Sequence, residues 1–507
     1  MVKELIIKIR KNPLNSAIIL SLVYPFIIFL KNILTSSIPF WFDPARDFLL
    51  AVNNLEHPTL IGAPTGIPGL FYGPYWIWLI SFSLIISPDP RLAAILILLL
   101  PYFIVFTYIL FKFVKIFGKK VCLLLWLMFI LSYQNYATSL WNPHLAPLLY
   151  LLLSYLFVKI MDAKEKHVLI LAFGAGITNG FLLNLHMSFG LGIFIGSFLF
   201  LFLGLMFKFT KQSFLKIPFF LSGLAITFIP FVIFELRHQF LQSQALLKTL
   251  TNAFFYNSAV VGQLGLKKVE IIQYLFVNKP ANLLAIKNDY VITIYLLLIS
   301  FIILKIKKIL QFKKMEKYLI FYLSLSILGL LLVFLTSKNP VWDYHFIGIE
   351  VIIVLAIGLL LIKSTFLVKI FTFWVAITVI VSLISLSASF NINPYAISSL
   401  ATKKHIINLI YENAGKSYFS LYAYSPAIYT YDFDYLTGWL GGKKYKKLPE
   451  PDINKADFVY LIIPETQEKT KLDFINYKTP NENYTTTGEW KIPDGTVILK
   501  REKIAQF

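Results

Sequence analysis

The sequence predicts a polytopic α-helical membrane protein that ends in a smaller α/β domain. Of its 507 residues, 57% are hydrophobic and 14% are charged, whereas soluble domains carry roughly 25% charged residues. Eleven mainly apolar segments lie before residue 390, each near the length of about 20 residues that crosses a bilayer as a helix. After residue 390, Gly, Pro, Asn, Asp and Lys become frequent. We therefore expect a membrane domain over residues 1–389 and a soluble domain over residues 390–507.

The eleven apolar segments define the expected transmembrane helices. Each should be helical, because an open strand cannot satisfy its backbone in hydrocarbon. The segments lie near residues 15–32, 91–116, 120–136, 144–161, 168–186, 188–207, 217–236, 289–306, 317–336, 344–362 and 367–389. The first segment follows four basic residues but has no small-residue cleavage site after it, so we expect it to be an uncleaved span.

Charge predicts the orientation of these helices. The formal net charge of +21 does not indicate a nucleic-acid partner, because Lys and Arg lie mainly in short loops between apolar segments. If the N terminus is cytoplasmic and the short segment 71–86 does not cross, these loops are cytoplasmic, as the positive-inside rule requires. We therefore expect 71–86 to be juxtamembrane or re-entrant. The outer loop 237–288 contains Lys and Arg, which weakens the pattern without reversing it.

The C-terminal segment carries the pattern of a small α/β domain. Strand-like runs occur at SYFSLYA, DFVYLIIP and GTVILK, and a helix-like run at KKHIINLIYENA. Eleven crossings of the cytoplasmic membrane would place this domain outside. The single cysteine, Cys122, excludes a disulfide framework and a thiolate metal cage within one chain.

The first outer loop contains the acidic residues that are the best candidates for catalysis. In the segment WFDPARDF, Asp43 and Asp47 are four residues apart. On a helix that begins near Pro44 they would lie on neighbouring faces, with Arg46 between them. Such carboxylates can accept a proton from an acceptor hydroxyl. Alternatively, Asp43 caps the helix and Asp47 pairs with Arg46, and the residues alone leave both interpretations open.

The order of these features resembles the membrane glycosyltransferases of the C superfamily that use polyprenyl-phosphate sugars, in particular family 39 with its protein O-mannosyltransferases and aminoarabinose transferases. The first outer loop of that family carries Asp-Glu-x-Arg-Tyr. Here Asp43 and Arg46 match the aspartate and the arginine, whereas Pro44 and Asp47 replace the glutamate and the aromatic residue. The segments HPTLIGAPTGIPGLFYGPYWIWL, WNPHLAP and FELRH are also similar to family segments. The resemblance covers residues 15–390 and implies that Asp43 is catalytic, alone or with Asp47.

The expected topology adds further candidates at the outer face. Candidate ligands of the donor phosphate are cations, with headgroup snorkelling as the alternative: Arg46, Arg91, Arg237, His238 and Lys338. Candidates for binding the acceptor or the sugar are polar and aromatic residues, with local hydrogen bonding and the aromatic belt as alternatives: His57, Tyr72, Trp141, Asn142, His144, His186, Tyr344 and His345.

The resemblance implies an inverting transfer of a sugar from a polyprenyl-phosphate donor to a surface lipid, glycan or protein. Membrane lipids, the donor and an unidentified acceptor are the expected partners. No nucleotide-binding Gly-rich loop is apparent, which suits a lipid-linked donor, and the resemblance implies that no cofactor is required. Whether the protein uses a divalent metal stays open, although the sequence has no HExxH motif. A transporter or flippase of a lipid-linked saccharide is the alternative from another class, but no inverted repeat supports it; a glycan ligase or polymerase differs mainly in its acceptor.

Overall fold

Helices dominate the first part of the computed structural model, and a small sheet follows them. The structure describes residues 13–132, 139–162, 165–207, 211–255, 265–284, 287–291, 311–337, 340–389, 393, 395, 397–426 and 429–504. In chain order, the helices of the first part are α1 (Pro13–Leu34), α2 (Phe42–Glu56), α3 (Tyr75–Ile86), α4 (Pro90–Lys112), α5 (Val114–Ser132), α6 (Ala146–Asp162), α7 (Glu165–Leu185), α8 (Met187–Phe207), α9 (Lys211–Ile226), α10 (Ile229–Arg237), α11 (Leu241–Phe255), α12 (Lys268–Gln273, continued by Tyr274–Asn278 and Lys279–Leu284), α13 (Lys314–Thr336), α14 (Ile349–Leu361) and α15 (Thr365–Ser389).

Six helical segments in the described residues are long and apolar enough to cross a membrane, namely α4, α7, α8 and α13, together with α6 and α14 when each is taken with the 3-10 turn before it (Asn142–Met161 and Asp343–Leu361). For the six predicted spans that they overlap, they confirm a helix of sufficient length and apolarity. Helices α9 and α10, which meet at a bend of 56°, make a seventh if they are one span. The segments 15–32, 120–136 and 367–389 overlap α1, α5 and α15, whereas most of 289–306 lies outside the described residues. The count of eleven spans therefore stays a prediction.

Helix α3 fits the expectation that segment 71–86 does not cross the membrane. Its 12 residues extend about 18 Å, which is short of the roughly 30 Å of hydrocarbon in a bilayer. One side packs on α2, where Asn54 Nδ2 donates to Ser81 Oγ at 2.9 Å. The side chains of Phe82 and Ile85 are exposed. An apolar exposed side on a short helix is typical of an element that lies against lipid.

Small residues allow the spans to pack closely. Helices α8 and α13 approach so tightly that a Cβ on Gly329 would lie 2.1 Å from the carbonyl oxygen of Gly192. Close backbone contact gives van der Waals packing, which is a main source of helix association where lipid removes the hydrophobic drive. A larger side chain at Gly329 would separate the two helices.

The C-terminal unit is the predicted α/β fold with one additional strand. It consists of α16 (Leu400–Ala414), β1 (Phe419–Ala423), α17 (Tyr431–Leu436), β2 (Phe458–Ile463), α18 (Glu468–Lys478), β3 (Tyr484–Lys491) and β4 (Val497–Lys503). The strand order is β1-β2-β4-β3; β1 and β2 are parallel, and the other neighbours are antiparallel. All three predicted strands and the predicted helix are confirmed.

The C-terminal unit lies against helix α2. The Lys403 ammonium donates to the carbonyl of Phe40 at 2.7 Å. The ring of Tyr435, in α17, packs edge-on against Phe48 of α2 with the ring centroids 5.1 Å apart. These contacts hold the start of α2 against the C-terminal unit.

Candidate active site

Helix α2 places Asp43 in its first turn. Trp41 is the residue at the N-cap and makes no side-chain cap. Pro44 is tolerated one residue after Asp43, because the first turn of a helix has no backbone partners for its N–H groups. The helix ends at Glu56, because the next residue, His57, precedes Pro58 and is therefore disfavoured in the helical conformation. The alternative that Asp43 is the capping residue is thus wrong.

Arg46 bridges the two carboxylates of α2. Its Nη1 lies 2.8 Å from Asp43 Oδ1, and its Nε and Nη2 donate to Asp47 Oδ1 at 3.0 and 2.8 Å. The other oxygen of Asp47 accepts a hydrogen bond from Trp76 Nε1 of α3 at 2.9 Å. Asp47 therefore ties α2 to α3, and the expected Arg46–Asp47 pair is confirmed.

The two carboxylates differ in their access to solvent. The Asp47 side chain is completely buried, whereas 22% of the Asp43 side chain is exposed. Burial raises the pKa of Asp47 to about 6, although Arg46 acts in the opposite direction. Since both Asp47 oxygens already accept hydrogen bonds, Asp43 is the carboxylate that a substrate can reach.

Aromatic rings form a wall beside Asp43. The ring centroids of Trp141 and Tyr344 are 5.1 Å apart, and those of Trp41 and Trp141 are 5.8 Å apart. The Asp43 carboxylate lies within electrostatic range of Tyr344 and of Tyr72. The structure therefore brings together three of the aromatic candidates, and we call Asp43, Arg46, Asp47, Tyr72, Trp141 and Tyr344 the reaction site.

A short hairpin positions Tyr72 within the reaction site. Its backbone N–H donates to Ala63 at 2.9 Å, and its carbonyl accepts from Gly62 at 2.7 Å. The next residue, Gly73, lies so close to α7 that a Cβ there would be 2.0 Å from Asn184 Oδ1. Any side chain at residue 73 would push the hairpin, and Tyr72 with it, away from α7. Burial raises the pKa of the Tyr72 hydroxyl.

Three of the five histidine candidates lie near one another. His186 is buried and within electrostatic range of His144 and His345. His144 Nδ1 lies 2.5 Å from the carbonyl oxygen of Ser139, and His345 Nδ1 accepts from the N–H of Trp342 at 3.1 Å.

The remaining polar candidates are placed as follows. Asn142 Nδ2 donates to the Leu185 carbonyl at 2.6 Å and ties the turn before α6 to the end of α7. His57 is exposed at the end of α2, and His238 stacks on Phe234 at 4.0 Å. In the part of the chain that the structure describes, no group of three or more His, Cys, Asp or Glu side chains could hold a metal ion.

Of the described cations that the sequence predicts to bind phosphate, Arg46 alone belongs to the reaction site. Arg91 pairs with Asp89 at 2.5 Å and donates to the Leu34 carbonyl at 3.0 Å, so it already has anionic and carbonyl partners. Arg237 is exposed at the end of α10. Lys338 lies outside the described residues. The role of each in phosphate binding stays a prediction.

Sequence reasoning missed a buried ion pair between Lys279 and Glu350. Lys279 Nζ lies 2.6 Å from Glu350 Oε1, and both side chains are almost fully buried. The other oxygen of Glu350 accepts from the N–H of Gly348 at 2.8 Å. An acidic residue inside the predicted span 344–362 was the available signal, because a charge there needs a partner. The partner is 71 residues earlier in the chain, beyond any local pattern.

An apolar groove begins beside this ion pair. Its volume is about 460 Å³, and α12, α13, α14 and α15 supply its lining, which includes Leu275, Pro280, Leu330, Ile349, Ile357 and Trp374. Helix α14 forms one wall over its 13 residues, a length of about 20 Å. Every lining side chain is apolar. We call this cavity the apolar groove.

Continuous contacts connect the apolar groove with the reaction site. Lys279 precedes Pro280, a lining residue of the groove, and lies within electrostatic range of His144. The His144 ring is 5.6 Å from that of Trp141, which belongs to the reaction site. The buried cation is therefore next to the groove in the chain and is linked to Trp141 of the reaction site through His144.

The comparison with solved structures agrees with this architecture. ArnT from Cupriavidus metallidurans, solved bound to undecaprenyl phosphate, is similar over 95% of this chain and 97% of that chain, with a TM-score of 0.54 and 9% sequence identity. The chain has the ArnT fold. This confirms, for the fold, the resemblance inferred from the sequence, and it confirms a polytopic membrane architecture.

A second similar structure is the Archaeoglobus fulgidus oligosaccharyltransferase, solved with zinc and sulfate. The aligned region covers 94% of this chain and 72% of the oligosaccharyltransferase chain, with a TM-score of 0.45 and 13% sequence identity. No protein-family model matches the chain, and no curated protein matches it.

Proposed function

We propose that this protein transfers a sugar from a polyprenyl-phosphate donor to an acceptor, with inversion at the anomeric carbon. The observation that carries the proposal is the presence, in one fold, of an apolar groove, a buried cation beside it and a partly exposed carboxylate linked to that cation through His144 and Trp141. A lipid-linked donor has the same order of parts, because its tail is apolar, its phosphate is anionic and its sugar is the group to be attacked.

The donor would lie with its tail in the apolar groove. Among the described residues, the groove has no polar lining side chain, so it suits a hydrocarbon chain rather than a nucleotide, which needs polar partners. The Lys279 ammonium would bind the phosphate at the head of the groove, while Glu350 fixes the position of that ammonium. As the bond between the anomeric carbon and the phosphate oxygen breaks, the lysine would stabilise the negative charge that grows on the phosphate.

Asp43 would activate the acceptor. Its carboxylate takes the proton from the attacking hydroxyl, the new bond forms at the anomeric carbon, and polyprenyl phosphate leaves. Arg46 holds one oxygen of Asp43 at 2.8 Å, which fixes the orientation of the carboxylate. This assigns Arg46 a positioning role rather than the phosphate contact that the sequence predicts, and Asp47 would act through Arg46.

The proposal includes a topology in which the reaction site and the C-terminal unit face the outside of the cytoplasmic membrane. The basic residues of the predicted inner loops support it. Since Cys122 is the only cysteine, a Cys122→Ser background can carry single cysteines at the exposed positions Glu56 and Lys119 for labelling. A membrane-impermeant maleimide added to intact cells should label position 56 and not position 119; the reverse pattern would contradict the topology.

The transfer itself is tested with purified protein and a radiolabelled polyprenyl-phosphate sugar. Release of polyprenyl phosphate should fall by about 100-fold or more in Asp43→Asn, the range for loss of a general base, while Glu56→Gln, an exposed carboxylate of the same helix, keeps the wild-type rate. Equal rates in all three proteins would remove Asp43 from the mechanism. Movement of intact donor between leaflets without release would identify a flippase instead.

A further inference from the structure

A second cavity lies between the C-terminal unit and the start of α2. Its volume is about 310 Å³, at the lower end of the range of roughly 300–1,000 Å³ for small-molecule sites. The first part of the chain contributes Trp41 and Phe42, and the C-terminal unit contributes Tyr424, Tyr429 and Glu465 among others. We call this cavity the interdomain cleft.

The interdomain cleft opens beside the reaction site. Phe42, which lines it, is followed directly by Asp43. Trp41, which also lines it, packs against Trp141 of the reaction site at 5.8 Å. A molecule in the cleft would therefore contact Trp41 and Phe42, the two residues that directly precede Asp43 at the start of α2.

The walls of the interdomain cleft combine exposed aromatic rings with hydroxyl groups. Phe42 is 37% exposed and Tyr429 is 53% exposed, although both are large rings that a protein usually covers. Ser398, Ser425 and Thr430 add hydroxyl groups. Aromatic faces pack on the C–H faces of sugar rings, and hydroxyl groups exchange hydrogen bonds with sugar hydroxyls.

The interdomain cleft has more acidic than basic lining side chains, although the protein as a whole is strongly basic. Lys403 is the one basic side chain among the lining residues, and its ammonium is held by Asp432 and by the Phe40 carbonyl. Glu465 and Asp494 also line the cleft, without a second lysine or arginine to balance them. Two such carboxylates in a chain of net charge +21 would repel a phosphorylated or carboxylated molecule and would accept hydrogen bonds from hydroxyl or ammonium groups.

We infer that the interdomain cleft binds the acceptor, and that the acceptor is an uncharged or amino-substituted saccharide. This inference rests on the proposed function, because it names the acceptor class of that same reaction. It also specifies what the C-terminal unit does: its sheet and its loops present Glu465, Asp494 and the tyrosines to a sugar that Asp43 then deprotonates.

The test is saccharide binding by the full-length protein in lipid nanodiscs. The probes are immobilised oligosaccharides of three kinds: neutral, amino-substituted, and phosphorylated or carboxylated. We expect retention of the first two kinds only. Glu465→Lys, which changes an exposed side chain, should weaken that binding on the order of tenfold, as expected for loss of one charge-assisted hydrogen bond. Glu482→Lys, at an exposed carboxylate outside the cleft, is the matched control.

A second pair of variants tests the aromatic wall. Tyr429→Ala should weaken saccharide binding, whereas Tyr477→Ala, which removes a ring that is 79% exposed outside the cleft, should not. Retention of the anionic saccharides, or of none of the three kinds, would overturn the inference, as would equal binding by Glu465→Lys and Glu482→Lys. Asp43→Asn separates the two proposals: it should bind saccharide normally while losing release of polyprenyl phosphate.

Discussion

The reaction site and the apolar groove differ in how many charged side chains they contain and in where these lie. In the reaction site, the guanidinium of Arg46 pairs with the carboxylates of Asp43 and Asp47 within about one turn of α2. The groove excludes charge from its lining and places one ion pair at its head. The difference teaches that α2 concentrates charged side chains in one turn, whereas α12 to α15 line an apolar cavity and keep one ion pair beside it. Variants in the two regions should therefore alter different properties.

The largest effect is expected at the head of the groove. Lys279→Met leaves Glu350 buried without its cation, which should cost about 3–5 kcal/mol of folding free energy. Thermal unfolding in detergent measures the loss. The double variant Lys279→Met/Glu350→Met should recover most of the stability, because a buried pair replaced by apolar side chains is often neutral. If the double variant also binds the lipid-linked donor like the wild type, Lys279 has no role in phosphate binding.

The next effect concerns the groove itself. Ile353 lines it, and Ile353→Trp should fill part of the space and raise KM for a long-chain donor on the order of tenfold, about 1.4 kcal/mol. A donor with a short tail should be less affected, because it needs less of the groove. Phe366→Trp, at a side chain 63% exposed outside the groove, is the control. Equal KM changes for long and short donors would contradict a tail-binding groove.

Asp47 should give the reaction site a pH dependence that the groove lacks. Its pKa is raised from 3.8 to about 6, so between these values the folded protein holds a proton that the unfolded chain releases. The contribution of Asp47 to stability is therefore largest below pH 3.8 and is lost as the pH rises through about 6. Asp47→Asn should flatten the profile of unfolding temperature against pH in this window, whereas Ile353→Trp should leave its shape unchanged.

The smallest effect is expected from the hydrogen bond between Trp76 and Asp47. This bond lowers the pKa of Asp47, so Trp76→Phe should move the upper limit of the pH window to higher values. The measurement is the same unfolding profile. A shift to lower pH would mean that Trp76 does not stabilise the carboxylate.

Local patterns predicted the helices and the charged turn, but not the contacts between distant segments. Hydrophobic length identified six spans, and the four-residue spacing of Asp43 and Asp47 identified the turn that Arg46 bridges. The partner of Glu350 could not be predicted, because Lys279 lies in a different loop and only the folded chain brings it near. The same applies to Trp76 and Asp47, which α3 and α2 bring into contact.

The missed strand has a different cause. Strand β3 carries the run YTTTGEWK, whose face is largely exposed and contains few apolar residues, so hydrophobic alternation did not mark it. Its three threonines are β-branched and favour strands, which was the available signal. The groove was equally hidden, since it forms only where α12, α13, α14 and α15 pack together and each of them is apolar along most of its length.

The central claim is that the donor tail lies in the apolar groove with its phosphate beside Lys279 and Asp43. A polyprenyl phosphate with a photoreactive group in its tail, cross-linked to the protein in nanodiscs and mapped by mass spectrometry, tests this most directly. The account predicts adducts on α14 and α15, at lining residues such as Ile357 and Trp374, that excess unlabelled polyprenyl phosphate abolishes. Adducts confined to lipid-exposed side chains outside the groove, such as Phe82 and Ile85 of α3, and insensitive to the competitor would contradict it.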